Sequence, residues 1–323
     1  MNAGKLEERP FPLLCVLGAT GTGKSGVALF LADNFPVGVI NADSRQVYAD
    51  FPLITAQPGR AEREVCPHRL YGFLPTSEKL GAGAYARQAE ACVREERAAG
   101  RLPVPVGGTG LYFRALLEGI APIPEIPPEI SSRLEDRCLN EGSPALHALL
   151  ADRDPDYARK IHPRDRQRIC RALAVLEHTG RTVSWWHARP LPRKPFRVLK
   201  IGVTLPMPEL EMRLERRIDA MLAEGAVEEA RAALERCPDP TAPGWSGIGC
   251  AELFRLLSGE LSPEQCRVLW RKNTRAYAKR QNTWFRADRE IIFFRPDERD
   301  RIAACVAAFL RGAAPARAGA TAY

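Results

Sequence analysis

A glycine-rich segment, "LGATGTGKS" at residues 17–25, restricts the possible folds of this chain more than any other feature. It follows the apolar run "PLLCVL" and precedes a segment with the spacing of an amphipathic helix. Gly18 and Gly23 allow the backbone to curl so that its N–H groups face an anion at the helix N-terminus. Lys24 adds a positive charge, and Ser25 can ligate a Mg²⁺ that bridges phosphate oxygens. The pattern therefore predicts a phosphate-binding loop between a strand and a helix.

The rest of the chain alternates between strand and helix patterns. Strand patterns occupy residues 12–18, 37–44, 102–110, 191–206 and 290–297, and helix patterns occupy 24–35, 84–100, 163–180, 208–225 and 301–310. Between about residues 131 and 190 only helical patterns occur, after a proline-rich stretch at 121–130. We therefore predict an α/β fold, a P-loop NTPase-like core with a parallel sheet, interrupted by an all-helical insertion domain.

These patterns divide the chain into four segments. The first part of the core is expected at 1–126, the helical insertion at 127–194, the rest of the core with a basic helix at 195–312, and a disordered tail at 313–323. The sequence contains no internal repeats.

The acidic group expected near a bound phosphate does not follow the third strand. That strand ends in Gly107, Gly108 and Thr109, whereas Asp43 follows the second strand. Because the carboxyl ends of parallel strands share one edge of a sheet, Asp43 is expected near the phosphate loop. Its carboxylate could ligate a metal, accept a proton from an acceptor nucleophile, or cap the next helix. A small-molecule kinase, which uses an acid in this way, is one reading of the pattern.

Positive charge is concentrated between residues 263 and 290. The net charge of the chain is +8, and this segment has eight Lys and Arg residues against three acids. Four of the basic residues recur every four positions, at 267, 271, 275 and 279, and would form one stripe on a helix. The aromatic residues at 270, 277 and 284 recur every seven positions, which favours core anchors over base-stacking platforms. The stripe, with almost no acids in its own segment, suits phosphate contacts on a nucleic acid.

A second basic cluster, Arg164, Arg166, Arg168 and Arg171, lies in the expected insertion. Here a solvated helix face and a nucleic-acid contact are equally compatible with the pattern.

The nine cysteines are scattered, and none forms a Cys-x-x-Cys pair. Free thiols in a reducing cytoplasm are therefore expected, rather than disulfides or a zinc site. No window approaches the roughly 18 apolar residues that a membrane span needs, and the first residues lack a signal-peptide core. We expect a cytoplasmic protein without a membrane partner.

Several motifs together resemble the tRNA dimethylallyltransferases (tRNA isopentenyltransferases) of bacteria. The matching segments, in the family's order, are "GATGTGKS" (18–25), "INADSRQVY" (40–48), "TAQP" (55–58), "VGGTGLY" (106–112), "RDRQRICRALAVLEHTG" (164–180), "RLERRIDAML" (213–222) and "AKRQNTWFR" (278–286). The pair "DSRQVY" and "KRQNTWFR" is more specific than the phosphate loop alone. The chain departs from the family at Ala19, usually proline, and at Cys250, usually aromatic. It lacks the C-terminal Cys/His zinc finger of eukaryotic relatives, as the bacterial type does.

The resemblance implies transfer of a dimethylallyl group from dimethylallyl diphosphate to the exocyclic amine of the adenosine 3′ of the anticodon. Diphosphate is released, and no phosphoryl group moves. Asp43 matches the family's general base, Arg217 its diphosphate-contacting arginine, and Thr109 a threonine close to the target base. Mg²⁺ is the implied cofactor, on Ser25. The implied diphosphate-binding residues are Gly18, Ala19, Thr20, Gly21, Thr22, Gly23, Lys24 and Ser25.

The same resemblance implies an anticodon stem-loop as partner and a target base flipped out of its stack. A monomer is expected. The implied tRNA-contacting residues are Asp43, Ser44, Arg45, Gln46, Thr109, Gln167, Arg168, Ile169, Cys170, Arg171, Arg275, Lys279, Arg280 and Gln281.

Two other functions stay open at this point. A P-loop kinase of a small metabolite or nucleotide would explain the phosphate loop and Asp43, but neither basic cluster. A non-catalytic RNA-binding module would explain the basic clusters, but not the intact set of Lys24, Ser25 and Asp43.

Overall fold

A six-stranded sheet, parallel throughout, forms the centre of the computed structural model, which describes residues 10–192 and 194–313. The strands in chain order are β1 (Phe11–Leu17), β2 (Val37–Asn41), β3 (His68–Arg69), β4 (Leu102–Gly107), β5 (Phe196–Val203) and β6 (Ile292–Phe294). Across the sheet their order is β3-β2-β4-β1-β5-β6. All five neighbouring pairs are parallel, so the carboxyl ends of the strands lie at one edge. The predicted α/β fold with a parallel sheet is confirmed.

The helices of the described residues are, in chain order, α1 (Lys24–Asn34), α2 (Arg60–Val65), α3 (Ala82–Ala98), α4 (Gly110–Leu117), α5 (Pro128–Glu141), α6 (Ser143–Arg153), α7 (Pro155–Ala158), α8 (Arg166–Thr179), α9 (Val183–His187), α10 (Met207–Ala223), α11 (Ala226–Arg236), α12 (Cys250–Leu257), α13 (Pro263–Arg286) and α14 (Arg299–Leu310). A short 3₁₀ helix spans Pro243–Ser246. The strands are shorter than the sequence patterns. The polar ends of two of them, after Asn41 and after Gly107, are loops.

The two faces of the sheet are both covered, which explains the continuous apolar runs of its central strands. Along β1, Leu14 and Val16 pack toward α1 and α14. Leu13, Cys15 and Leu17 pack on the opposite face toward α3 and α4. This alternation is the two-residue period of a strand. A third cluster joins α10, α11, α12 and α13 to the segment that follows β2.

The described chain separates into two compact units. The first unit, residues 10–117 and 194–313, contains the sheet with α1 to α4 and α10 to α14. Residues 118–192 form the second unit. The second unit thus begins nine residues before the boundary expected at 127. The tail expected at 313–323 lies outside the described residues, apart from Ala313.

The second unit contains α5 to α9 around its own apolar core. Asp165 caps the start of α8 by accepting a hydrogen bond from Arg168 N, and Gly180 ends the helix with φ +64°. Two residues assigned to tRNA contact are buried, Ile169 with 0% and Cys170 with 4% exposure. Their side chains form part of the core of this unit.

The long helix α13 begins with a capping box, in which Ser262 and Gln265 exchange hydrogen bonds. Trp270 is buried as predicted, whereas Trp284 is 47% exposed. Most of the basic stripe is paired with acidic side chains from outside its own segment. Both Arg267 and Arg271 bind Asp219 on α10, and Arg275 binds Glu211 on the same helix. Acids distant in sequence therefore neutralise three of the four stripe residues.

No helix within 10–192 and 194–313 is long and apolar enough to cross a membrane. The nine cysteines are all free, as expected. No group of three or more His, Cys, Asp and Glu side chains in this described part could hold a metal ion.

Candidate active site

The phosphate loop connects β1 to α1 with the conformation its glycines predict. Gly18, Gly21 and Gly23 have φ of +150°, +80° and +95°, which favour glycine. Gly18 also passes so close to the Val203 carbonyl that any side chain would overlap it. Inside the loop, the buried hydroxyl of Thr22 donates a hydrogen bond to the Ala19 carbonyl over 2.9 Å. The N-terminus of α1, which begins at Lys24, opens into a cavity at this edge of the sheet.

Lys24 crosses the loop and donates from Nζ to the Ala19 carbonyl over 2.8 Å. Burial lowers the pKa of Lys24 to about 8. The nearby Asp43 carboxylate opposes this decrease, and the Arg217 guanidinium adds to it. Lys24, Asp43 and Arg217, which lie far apart in sequence, therefore share one electrostatic environment.

Asp43 lies in a tight turn, two residues after the end of β2. Its Oδ1 accepts a hydrogen bond from Arg45 N over 2.9 Å, and its own N–H donates to Asn41 Oδ1 over 2.8 Å. Buried Asn41 is fixed in turn by donating to the Leu70 carbonyl. The next helix begins only at Arg60, so Asp43 does not cap a helix. One carboxylate oxygen holds the turn, and the other accepts no hydrogen bond within the described part of the chain.

The turn after β4 lies directly against the Asp43 turn. Thr109 N donates to the Ala42 carbonyl over 3.1 Å, and Thr109 Oγ1 accepts from Ser44 N over 2.9 Å. A Cβ on Gly107 would overlap the Ala42 carbonyl, so glycine is required for this approach. From α13, the Tyr277 side chain lies beside Thr109, whose side chain opposes the rise in the Tyr277 pKa. Burial, with the Asp43 charge as the next cause, raises the pKa of Tyr277 to about 12.

These turns and the phosphate loop line one cavity of about 470 Å³. The lining residues are Thr20, Gly21, Gly23, Lys24, Ser25, Asp43, Gln46, Thr55, Ala56, Val106, Gly107, Arg213, Arg216 and Arg217. Four cationic side chains thus face a single carboxylate. The cavity attracts a multiply charged anion and places it beside a possible proton acceptor.

The sequence analysis did not assign six of the lining residues to the site, namely Thr55, Ala56, Val106, Gly107, Arg213 and Arg216. Arg216 and Arg217 follow Arg213 by three and four residues on α10, so all three lie on the same side of the helix. That spacing could have revealed them. Thr55 and Ala56 enter the cavity because the chain turns back after Phe51. Ala56 has the unusual φ of +52°, which no sequence pattern indicated.

The residues assigned to tRNA near the target base are held by the protein. Arg45 Nη1 donates to Ser246 Oγ over 2.9 Å and to the Pro243 carbonyl over 3.3 Å. Gln46 Nε2 donates to the carbonyls of Thr55 and Ala56, at 3.0 and 2.6 Å. Gln46 therefore forms part of the cavity wall, whereas Arg45 is fixed to the segment at residues 243–246 and does not line the cavity.

Of the residues assigned to RNA on α13, Lys279 and Arg280 are exposed and form no salt bridge within the described ranges, and the Arg280 guanidinium lies over the Tyr277 ring, 5.7 Å from its centroid. Arg275 pairs with Glu211. Gln281 is 5% exposed, and both ends of its amide are bonded inside the protein. On α8, Gln167, Arg168 and Arg171 are exposed, and Arg168 pairs with Asp165.

The site suits a Mg²⁺ that is held partly by its substrate. Mg²⁺ usually keeps several waters and binds through one or two protein ligands together with phosphate oxygens. Ser25 is exposed in the second position of α1 and lines the same cavity as Asp43. The donor set present is therefore compatible with a Mg²⁺–diphosphate complex.

Comparisons with known proteins identify the family of this chain. The profile of the IPPT family, described as IPP transferase, matches residues 46–288. A protein named tRNA dimethylallyltransferase from Nitratidesulfovibrio vulgaris (strain Miyazaki F) is 57% identical over 318 residues, 94% of each chain. The protein of the same name from Maridesulfovibrio salexigens is 52% identical over 94% of this chain and 99% of its own.

Solved structures agree. The tRNA isopentenylpyrophosphate transferase of Bacillus halodurans is 30% identical, with a TM-score of 0.70 over 93% of this chain and 97% of its own. A eukaryotic dimethylallyltransferase acting on tRNA is 26% identical, with a TM-score of 0.82 over 94% of this chain and 81% of its own. The chain belongs to the tRNA dimethylallyltransferase family.

Proposed function

We propose that the protein transfers a dimethylallyl group from dimethylallyl diphosphate to the exocyclic amine of the adenosine 3′ of the anticodon in tRNA. Diphosphate is the second product. One observation carries this proposal, namely the cavity that places the phosphate loop and three arginines opposite Asp43. The membership of the family supports the same reaction.

The diphosphate binds at the N-terminus of α1. Backbone N–H groups at a helix start point toward an anion, and Lys24 and Arg217 add positive charge from two sides. Because a leaving diphosphate gains negative charge as its C–O bond breaks, these groups stabilise the transition state more than the ground state. Mg²⁺, with Ser25 as a protein ligand, would supply further neutralisation of the departing oxygens when bound.

The acceptor is a weak nucleophile, since its lone pair is delocalised into the adenine ring. Nitrogen forms its bond to the allylic carbon while the carbon–oxygen bond to diphosphate breaks. The amine then carries a surplus proton, which the free oxygen of Asp43 accepts. Thr109, fixed beside Asp43, orients the base. Orientation of the two reactants in one cavity supplies much of the rate.

The RNA contact is proposed for two exposed surfaces. On α13 it involves Lys279 and Arg280, and on α8 it involves Gln167, Arg168 and Arg171. An anticodon loop suits this chemistry, because a base in a loop leaves its stack more easily than one in a duplex. We propose a monomer, with the helical domain binding the anticodon arm.

The direct test incubates the purified protein with carbon-labelled dimethylallyl diphosphate, Mg²⁺ and unmodified tRNA. Label is expected in a single anticodon-loop adenosine, with release of one diphosphate for each group transferred. ATP turnover with a small acceptor, and no label in RNA, would instead indicate the kinase.

A further inference from the structure

Three side chains on one face of α13 contact the turn at residues 107–110. Tyr277, Gln281 and Trp284 are spaced four and three residues apart, so they share that face. Tyr277 lies beside Thr109, Gln281 donates a hydrogen bond to the Gly108 carbonyl, and the Trp284 indole lies where a side chain on Gly110 would be. The turn that carries Thr109 is thus packed against α13 at three successive points.

Gln281 alone among these three also reaches the phosphate loop. Its Nε2 donates to the Gly108 carbonyl over 2.8 Å, and its Oε1 accepts from Thr20 N over 2.9 Å. Only one orientation of the amide satisfies both bonds, because one end faces a carbonyl and the other faces an N–H group. A single buried side chain therefore connects the diphosphate loop to the Thr109 turn.

The close approach of these loops depends on glycine at position 108. A Cβ there would overlap Gln281 Nε2, and it would lie 3.3 Å from the Gly18 carbonyl oxygen. The backbone of Gly108 does not have a positive φ, so an alanine could adopt it. The space beside Gly108 is therefore occupied by the Gln281 amide.

We propose that Gln281 is a positioning residue for the transfer reaction, holding the diphosphate loop and the Thr109 turn at a fixed separation. This inference rests on the proposed function. The allylic carbon is bound through the first loop and the acceptor base through the second. A shift between them lengthens the distance between the reacting carbon and nitrogen, and about 1 Å of misplacement lowers a rate by about 100-fold. Gln281 contacts neither substrate in this account.

The test is a double-mutant cycle with Gln281→Ala and Gly108→Ala. Four quantities are measured for each variant, namely kcat, the Kd for inorganic diphosphate, the Kd for tRNA, and Tm. Each single variant is expected to lower kcat by about 10- to 100-fold and to weaken diphosphate binding, while the Kd for tRNA changes less than about threefold. Because both substitutions break the same contact, the double variant should be no worse than the poorer single one.

Two further variants separate positioning from stability. Asn282→Ala removes a neighbouring amide whose only described hydrogen bond is to Met207 Sδ, at 3.6 Å, and it should leave kcat unchanged. Gln281→Glu has the same shape and keeps the acceptor for Thr20 N, but it cannot donate to Gly108 when ionised. When ionised it buries a charge against the Gly108 carbonyl, so both Tm and kcat are expected to fall, whereas protonation at lower pH restores the donor and should restore part of kcat relative to the wild type at the same pH.

Additive effects of Gln281→Ala and Gly108→Ala would overturn the proposal. So would a Gln281 variant that loses tRNA affinity while keeping kcat at saturating tRNA. Failure of the proposed function has a separate signature, because the wild-type protein would then bind diphosphate and transfer nothing. The double-mutant cycle, measured as the Kd for inorganic diphosphate, would still test whether Gln281 couples the phosphate loop to the Thr109 turn.

Discussion

The side chain of Thr109 accepts a hydrogen bond from the backbone N–H of Ser44 over 2.9 Å, which ties the turn after β4 to the turn after β2. Ser44 directly follows Asp43 in the chain. The proposed base-orienting group and the proposed proton acceptor are therefore parts of one rigid structure, in which neither turn can move without the other. This relationship places Thr109 in the account of catalysis even though it is not a lining residue of the cavity.

Replacement of Thr109 by valine removes the hydroxyl and keeps the shape. Ser44 N then lacks its partner, and the base loses a polar neighbour. We expect kcat to fall by about 10- to 100-fold in steady-state transfer assays, with little change in the Kd for dimethylallyl diphosphate. Thr109→Ser retains the hydroxyl and should restore most of the rate. An inactive serine variant that folds normally would show that the hydroxyl is not the important group.

The affinity for inorganic diphosphate should fall as the pH rises through about 8. Lys24 is protonated and attracts the anion below its lowered pKa of about 8, and it is neutral above that value. A bound anion raises that pKa, so binding requires a proton at higher pH. The logarithm of the affinity is therefore expected to decrease by up to about one unit for each pH unit in calorimetric titrations.

Lys24→Arg provides the matched control for this titration. Arginine stays charged throughout the range, so the variant should show only the ionisation of diphosphate itself. If the variant and the wild type have the same pH dependence between pH 7 and 9.5, Lys24 is not the titrating group.

Arg217→Gln should weaken the diphosphate complex and slow transfer by about 100- to 1,000-fold in kcat/KM. The physical reason is its half-buried position beside Lys24 and Asp43, where a charge is poorly screened. The control is Arg231→Gln. Arg231 is exposed on α11 and does not line the cavity, so this variant also removes one positive charge but at a distance from the site. Equal losses in the two variants would indicate a general charge effect rather than a specific contact.

RNA binding on α13 should depend on Lys279 and Arg280 more than on the predicted stripe. Replacing both by alanine should weaken tRNA binding and reduce the slope of log K against log salt by about one to two. The comparison variant is Arg267→Gln with Arg271→Gln, which removes two charges already paired with Asp219. It should change the slope less, as measured by filter binding over a salt series. The opposite ranking would mean that these ion pairs open when RNA binds.

The phosphate site was predictable because its residues follow from local rules. Gly18, Gly23, Lys24 and Ser25 act through a turn and a helix start, which adjacent residues determine. Asp43 could be placed beside them because parallel strands share an edge. The family was recognisable from the order of its motifs, and the comparisons confirm it.

What the sequence did not provide depends on contacts between distant segments. Asp219 and Glu211 neutralise the basic stripe from another helix, 48 and 64 residues away from Arg267 and Arg275 respectively. The family resemblance implied a tRNA contact for Gln281, but its side chain points inward and bonds to residues 261 and 173 positions away. Ile169 and Cys170 were included with an exposed stretch, although the helical period turns them into the core. Such pairings are decided by packing.

The central claim is that carbon, not phosphorus, moves across this cavity. One measurement tests it most directly, a single-turnover reaction with dimethylallyl diphosphate labelled in both its carbon chain and its phosphates, run with the wild type and with Asp43→Asn. The account predicts that the wild type places all carbon label on one adenosine of the anticodon loop and releases all phosphorus label as diphosphate. It predicts that Asp43→Asn binds both substrates with near-normal affinity but transfers about 100- to 10,000-fold more slowly. Phosphorus label in the acceptor, or an undiminished rate in Asp43→Asn, would contradict it.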